Sequence, residues 1–273
     1  MLGWHIAWSS EGRHPLAPEK AGRRALVRTI TRVAGEAVSL FCVVDDHVHV
    51  VLFCRLAERG RHVQALSLAF RPLVAVPLAP AFVRPVRDRG HMEWLAHEYI
   101  LRQPVKHGLS ARPALWSGSC FADLAGARVL PGLRLRIEDA LPRWRLRTAY
   151  HAVGLPETRL VSASDDLVRR LGASRIAAAA AFAACAEPGL RGKGDAEVTA
   201  RRVVAGLASA VGIRTPEISW ALGITPQAAN RLIGRHAPVI HLEATRLRLA
   251  LEQADLDSPA IVREPEPPSY GAP

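Results

Sequence analysis

Apolar residues recur at two different spacings along the first 125 residues, so this part of the chain is predicted to contain both strands and helices. Four short runs rich in β-branched and aromatic residues are typical of strands: 4–9, 39–44, 47–54 and 82–86. Three longer stretches carry apolar residues every three or four positions, as amphipathic helices do: 19–38, 57–76 and 92–103. This alternation predicts an α/β or α+β sandwich in which helices cover one face of a sheet.

The second half of the chain has a different pattern, because nothing from residue 156 onward resembles a strand. Alanine and leucine dominate there, which predicts an all-α domain over residues 156–255. An arginine-rich connector, residues 126–155, separates it from an N-terminal domain of residues 1–125. The final stretch, residues 256–273, is rich in proline and glutamate and is predicted to be a disordered tail.

Composition narrows the class of protein. Hydrophobic residues make up 49% of the chain, but no run of 18 apolar residues exists, so we expect no membrane span. The N-terminus has no basic stretch followed by an apolar region, so we expect a cytoplasmic rather than a secreted protein. The cysteines form no Cys-x-x-Cys pair and are predicted to be free thiols: Cys42, Cys54, Cys120 and Cys185.

The charge of the chain indicates a polyanionic partner. The formal net charge is +11, and only three of the 36 basic residues are lysines. Nearly all of the positive charge is therefore arginine, whose guanidinium can donate hydrogen bonds to two phosphate oxygens at once. The excess is +6 over residues 1–125, +4 over 126–150 and +1 over 151–273. We therefore expect the partner to bind the N-terminal domain and its connector. An arginine content inherited from a GC-rich genome is the alternative explanation.

His47 and His49 form the first candidate site. They lie two residues apart in a predicted strand, so their imidazoles should point to the same face and could bind a divalent metal together. The alternative is a pair of histidines without a chemical role on a half-exposed strand, which the spacing alone does not exclude.

Tyr99 and Gln103 form the second candidate site, because a spacing of four residues places both on one face of the predicted helix. The amide oxygen of Gln103 is a suitable ligand for Mg²⁺ or Mn²⁺. A tyrosine, with a pKa of about 10, attacks a phosphodiester poorly unless a metal polarises and orients the phosphate. A metal beside the phenol would therefore make Tyr99 a nucleophile, whereas the alternative is a core aromatic residue with its hydroxyl at the rim.

Three motifs, found in the same order along residues 4–125, resemble those of the HUH single-tyrosine transposases. The match is nearest to their domesticated relatives, the REP-associated tyrosine transposases. Residues 43–52, VVDDHVHVVL, resemble the HUH strand of that family. Residues 98–109, EYILRQPVKHGL, resemble its catalytic-helix motif, and residues 116–119, WSGS, are similar to the Trp-Ser-Ser that follows.

The resemblance implies a fold, a reaction and roles for residues. The fold would be the HUH endonuclease fold, a ferredoxin-like or RRM-like antiparallel sheet with helices on one face, followed here by the all-α domain. His47, His49 and Gln103 would hold Mg²⁺ or Mn²⁺, and Tyr99 would form a 5′-phosphotyrosine with DNA. Members of the family are typically homodimers with DNA lying across the sheet, so a homodimer and single-stranded, hairpin-forming DNA are the expected partners.

Some residues around these motifs have more than one interpretation. Asp45-Asp46 stand where the family usually has Pro-Asn, and the extra carboxylate could bind the metal or repel the phosphate. Lys106 and His107 follow the catalytic helix and are candidates for phosphate contacts, or else are solvated loop residues. His97 lies about 200° around the helix from Tyr99 and should pack away from it.

Residues 215–233 resemble a helix-turn-helix, similar to the DNA-binding domain of the replication initiator DnaA. Thr215 is predicted to cap the first helix, with Gly223 at the turn. The side chains expected to contact duplex DNA lie on the second helix and its cap: Thr225, Gln227, Asn230 and Arg231. The alternative is an ordinary helical hairpin.

The leading hypothesis is a metal-dependent single-stranded DNA endonuclease and strand transferase that acts through Tyr99. Such a protein would be associated with the nucleoid. One alternative is a catalytically inactive, domesticated DNA-binding regulator that uses residues 215–233. Another is a rolling-circle replication initiator, which shares the HUH chemistry.

Overall fold

The computed structural model describes residues 2–110, 113–142, 144, 146–155 and 161–257. The first elements follow the order βαββαβ: β1 (Gly3–Ser9), α1 (Lys20–Ala34), β2 (Val38–Val43), β3 (His47–Leu52), α2 (Leu56–Phe70) and β4 (Phe82–Val86). Short helical segments follow: α3 (Arg89–Trp94), a π-helical segment (Leu95–Ile100), α4 (Gln103–Lys106), α5 (Phe121–Leu124), α6 (Ile137–Ala140) and α7 (Leu146–Ala152). The remaining helices are α8 (Asp165–Ala183), α9 (Asp195–Ala210), α10 (Thr215–Leu222), α11 (Pro226–Ile233) and α12 (Val239–Asp257).

The four strands form one antiparallel sheet in the order β2-β3-β1-β4. This confirms the predicted α+β class and all four predicted strands. β3 lies between β2 and β1, and Cys42 and Ala7 stand opposite His49 on the two neighbouring strands. All residues of β2 and β3 are buried, because other elements cover both faces of the sheet there. The two histidines of β3 therefore lie in the middle of the sheet.

Helices α1 and α2 cover one face of the sheet. Side chains alternate between the faces, so Ile6 and Trp8 of β1 point to the face opposite His5. The indole Nε1 of Trp8 donates a hydrogen bond to Ser67 Oγ on α2 at 2.8 Å, and its ring contacts Phe70 edge-on at 5.2 Å. This anchors α2 on the sheet and leaves the histidines on the other side.

The histidine face is also covered in part, by the π-helical segment. Leu95, Ala96 and Ile100 are fully buried, and the Tyr99 ring lies against two histidine rings of the sheet. This differs from the predicted arrangement, in which helices cover one face only. The single helix predicted over 92–103 is likewise divided, because the wider π turn and the turn at Leu101 and Arg102 before α4 interrupt the regular period of the α-helix.

Over residues 161–257 the described secondary structure is helical, with loops between the helices and no strand, as predicted. Its helices have a core of their own made mainly of alanine, valine and leucine, including Ala179, Val203 and Leu207. Helix α8 is broken at Gly172, where φ is +78°. None of the described helices is both long and apolar enough to cross a lipid bilayer.

Apolar residues of the connector belong to the core of the sheet region, among them Leu130, Ile137 and Leu141. Arg128 is buried as well. Its guanidinium donates hydrogen bonds to both carboxylate oxygens of Asp123, so this arginine is not available to a polyanion. Arg143 and Arg145 lie outside the described residues, as does nearly all of the predicted tail, residues 258–273.

Candidate functional site

His47 and His49 lie side by side on β3. Their ring centroids are 4.5 Å apart and their planes are nearly perpendicular, at 86°. Both side chains are buried, with 6% and 3% of their surface exposed. The alternation of the strand therefore brings the two imidazoles together as the sequence predicted, although the strand is buried rather than half-exposed.

A third histidine, His5 on β1, lies beside His49, and we call His5, His49 and His47 the histidine row. Its Nε2 lies 3.0 Å from Nδ1 of His49, and the pair is buried. Sequence reasoning missed His5, because only the antiparallel register of β1 against β3 places it beside this pair. Alternation along β1 places His5, Ala7 and Ser9 on one face of the strand. The sequence did not reveal that this face lies beside β3, which is why His5 was not predicted as part of the site.

Asp46 and His107 lie on the other side of His47. The Asp46 Oδ1 atom is 2.5 Å from His47 Nδ1, and the His107 ring centroid is 4.7 Å from that of His47. Ligand atoms of these three side chains lie within 4.8 Å of one another, so this group could itself hold a metal ion. His107, which was predicted as a phosphate contact, is exposed at the end of α4 and is also a candidate metal ligand.

Tyr99 lies over the histidine row. Its ring centroid is 5.2 Å from that of His49 and 5.8 Å from that of His5. The ring is half-buried and stacks on Trp94 at 4.8 Å, with 26° between the planes. The Lys106 Nζ atom lies 4.9 Å from the centre of the Tyr99 ring. The ring of Tyr99 is thus only partly buried, and a positive charge lies over it.

The chemistry of the site suits a divalent metal. The Nε2 atom of His49 and the Oε1 atom of Gln103 are both buried, and neither has a hydrogen-bond partner of normal geometry. The Gln103 side chain nevertheless lies close enough to His49 to interact with its ring. Leaving a buried polar atom unsatisfied costs about 1–3 kcal/mol, and a metal ion would satisfy both of these. Burial, then the proximity of His47, holds the pKa of His49 well below its usual range, and burial lowers the pKa of His5 to about 4. Both are therefore neutral at pH 7, and a neutral imidazole is the form that binds metals.

A strip of aromatic and basic side chains borders the site. In the sheet register Arg84 of β4 stands opposite His5, on the same face, and its guanidinium lies 4.7 Å above the Phe82 ring. Phe82 and Trp94 are each 46% exposed, and Lys106 is exposed. Half-exposed aromatic rings next to cations are typical of surfaces that bind unpaired nucleotides.

The WSGS segment fixes the end of β2 that leads into the histidine strand. The indole Nε1 of Trp116 donates to the Val43 carbonyl at 2.8 Å, and the Val43 N–H donates to the Gly118 carbonyl at 2.9 Å. A Cβ at Gly118 would lie 2.2 Å from the Val43 oxygen, so only glycine fits there. His97 stacks on Trp144 at 5.0 Å and 12°, which agrees with its predicted packing role.

The helix pair α10–α11 is a second candidate site. Gly223 adopts a left-handed conformation between the helices (φ +61°), and the Thr225 hydroxyl accepts a hydrogen bond from the Ala228 N–H, as predicted for a cap. Thr215 does not cap α10, because it lies inside the helix and its hydroxyl donates to Asn230 Oδ1 at 3.0 Å. The predicted DNA-contacting residues of α11 are all exposed: Gln227, Asn230 and Arg231.

Comparisons with known proteins give little further information. No protein-family profile matches the sequence, and no solved structure matches it. The serine/threonine-protein kinase UL13 of Human herpesvirus 1 (strain 17) is 37% identical over 91 residues, which are 31% of this chain. The chain spans 16% of the length of that kinase. The sequence has no G-x-G-x-x-G, His-Arg-Asp or Asp-Phe-Gly motif, and the match covers too little of either protein to show a family.

Proposed function

We propose that this protein is a metal-dependent single-stranded DNA endonuclease and strand transferase with Tyr99 as its nucleophile. The observation that carries the proposal is the convergence of the Tyr99 ring with a buried histidine pair and the buried side chain of Gln103, which interacts with His49. The βαββαβ order and the strand order β2-β3-β1-β4 fit the HUH endonuclease fold that the sequence motifs suggest.

In this proposal His47, His49 and Gln103 hold Mg²⁺ or Mn²⁺, which when bound would polarise and orient the scissile phosphate. The Tyr99 oxygen forms a bond to phosphorus while the bond from phosphorus to the 3′ oxygen breaks. The phenol loses one proton in this step, and the leaving 3′ oxygen gains one to become a hydroxyl. The 5′ phosphate stays on Tyr99 until the 3′-hydroxyl of another strand end attacks it and restores the phenol.

The strip beside the site supports single-stranded DNA as the substrate. Lys106 places positive charge beside Tyr99 and Arg84 places it beside His5, where a phosphate backbone could lie. Trp94 and Phe82 offer half-exposed rings on which unpaired bases can stack. Bases that are paired in a duplex do not expose their faces in this way.

The test is a search for the covalent product. Labelled single-stranded DNA with a hairpin is mixed with the protein and Mn²⁺, and the mixture is run on a denaturing gel. The wild-type protein should give a protein–DNA adduct, and the Tyr99→Phe variant should give none. Tyr150→Phe is the matched control, because Tyr150 is buried against Phe121 in the core, and it should keep the adduct. Absence of an adduct from folded wild-type protein with every hairpin and metal tried would sink the proposal.

A DNA-binding regulator is the second candidate function. It is supported by α11, which exposes Gln227 and Arg231 on one face. This helix follows the left-handed turn at Gly223, and its first turn is capped by Thr225. Retention of specific duplex binding by a protein that forms no adduct would favour this second function.

A further inference from the structure

Both histidines of the proposed metal pair are held through the same ring atom. The Nδ1 atom of His47 lies 2.5 Å from Asp46 Oδ1, and the Nδ1 atom of His49 lies 3.0 Å from His5 Nε2. His5 is buried and Asp46 is partly buried, so neither contact is a loose surface interaction. In each histidine the Nε2 atom is the one left to face a ligand, and in His49 that atom is buried while the side chain of Gln103, the third proposed ligand, interacts with the ring.

We propose that Asp46 and His5 are positioning residues that fix the tautomer and ring orientation of His47 and His49, so that both Nε2 atoms face one divalent cation. A metal-bound neutral imidazole carries its proton on the other nitrogen, and that N–H needs an acceptor. The Asp46 carboxylate accepts from His47, and His5 accepts through Nε2 from His49 when its own proton is on Nδ1. The inference rests on the proposed metal site.

This assigns a role to Asp46, which the sequence left open between binding the metal and repelling the phosphate. As a hydrogen-bond acceptor from His47, the carboxylate orients the ring of the ligand without occupying a coordination position. The competing arrangement is a cation held directly by Asp46, His47 and His107, whose ligand atoms lie within 4.8 Å of one another. The two arrangements share only His47. The first adds His49 and Gln103, and the second adds Asp46 and His107.

The experiment measures Mn²⁺ affinity of the full-length protein by isothermal titration calorimetry, without DNA. Loss of a hydrogen-bond partner of a metal ligand typically weakens metal binding about 10–100-fold, so Asp46→Ala and His5→Phe should each show a loss of that size. Asp46→Asn and His5→Gln keep an acceptor oxygen and should recover most of the affinity. Gln103→Ala should weaken binding, whereas His107→Ala should bind Mn²⁺ as the wild type does.

A spectroscopic measurement separates positioning from a general loss of structure. In ¹⁵N spectra of the protein loaded with Zn²⁺ as a diamagnetic probe, His47 and His49 should both show a protonated Nδ1 and a metal-bound Nε2. His5→Gln should perturb the His49 signals and leave those of His47 in place.

Some outcomes would overturn the inference while leaving the metal site intact. One is that Asp46→Ala and His5→Phe bind Mn²⁺ with the affinity of the wild type. The other is that His107→Ala loses as much Mn²⁺ affinity as Asp46→Ala does. Failure of the wild-type protein to bind Mn²⁺ at all would instead overturn the proposed function, and this inference with it.

Discussion

At the scale of single residues, Arg128 shows why a count of charges does not locate a binding surface. It is one of the arginines that make the connector basic, and yet its side chain is buried. Besides pairing with Asp123, its guanidinium donates to the carbonyls of Ser117 and Ser119, both at 2.7 Å. Arg128 therefore braces the WSGS segment against α5 and helps to position the strand that carries the histidines.

Breaking the buried Asp123–Arg128 pair should cost far more stability than breaking an exposed ion pair. In Asp123→Asn the buried guanidinium loses its charged partner, and breaking such a pair typically costs about 3–5 kcal/mol. The control is Asp139→Asn, which removes the half-exposed partner of Arg136 and should cost about 1 kcal/mol or less. Urea denaturation measures both changes, and equal losses in the two variants would contradict the structural role of Arg128.

The cysteines, which are free thiols as predicted, should differ in reactivity. Burial raises the pKa of Cys120 to about 12 and that of Cys42 well above its usual range, whereas Cys54 is only partly buried. A thiol whose pKa is raised stays protonated and unreactive as the pH increases. At pH 8, Ellman's reagent should therefore label Cys54 first, and Cys42 and Cys120 only after unfolding in guanidinium. Rapid labelling of a buried cysteine in the native protein would contradict this order.

At the scale of elements, the regular pattern was readable from the sequence and the interruptions were not. Runs rich in β-branched and aromatic residues placed β1 and β3 within about two residues of their observed ends, because such residues favour a buried, pleated strand. The π-helical segment around Tyr99 was missed, because apolar residues at i, i+3 and i+4 also fit a continuous α-helix. His5 was missed for a related reason, since local pattern does not reveal which strands pair.

The turn of the α10–α11 pair offers a matched test of an element boundary. Gly223 and Gly234 both follow a helix and have open space where a Cβ would lie, but φ is +61° at Gly223 and –76° at Gly234. Gly223→Ala should destabilise the protein by about 1 kcal/mol, because alanine is strained in the left-handed region. Gly234→Ala should be neutral or stabilising by up to about 1 kcal/mol. Thermal unfolding compares the two, and equal effects would contradict the assigned turn.

At the scale of the whole molecule, the proposed activities use two separate surfaces. Tyr99, the proposed nucleophile, and its aromatic and basic strip lie on the sheet region, whereas Gln227 and Arg231 lie on α11 in the helical region. The net charge of +11 would attract DNA to both by a sequence-independent, salt-sensitive term. Only substitutions matched in charge can separate that general attraction from a specific contact.

Arg231→Ala should weaken duplex binding and reduce by about 1 the slope of log affinity against log salt, because one phosphate contact would be lost. Arg32→Ala removes the same charge from the exposed face of α1 and should leave duplex affinity unchanged. Neither substitution lies in the histidine row, so both variants should still form the covalent adduct with hairpin DNA. Tyr99→Phe should bind duplex DNA as the wild type does but should form no adduct with hairpin DNA. Fluorescence anisotropy across a salt series, together with the denaturing gel, measures both activities. An equal loss of duplex binding in Arg32→Ala and Arg231→Ala would mean that α11 contributes only charge, because a recognition helix requires its own side chains in the groove.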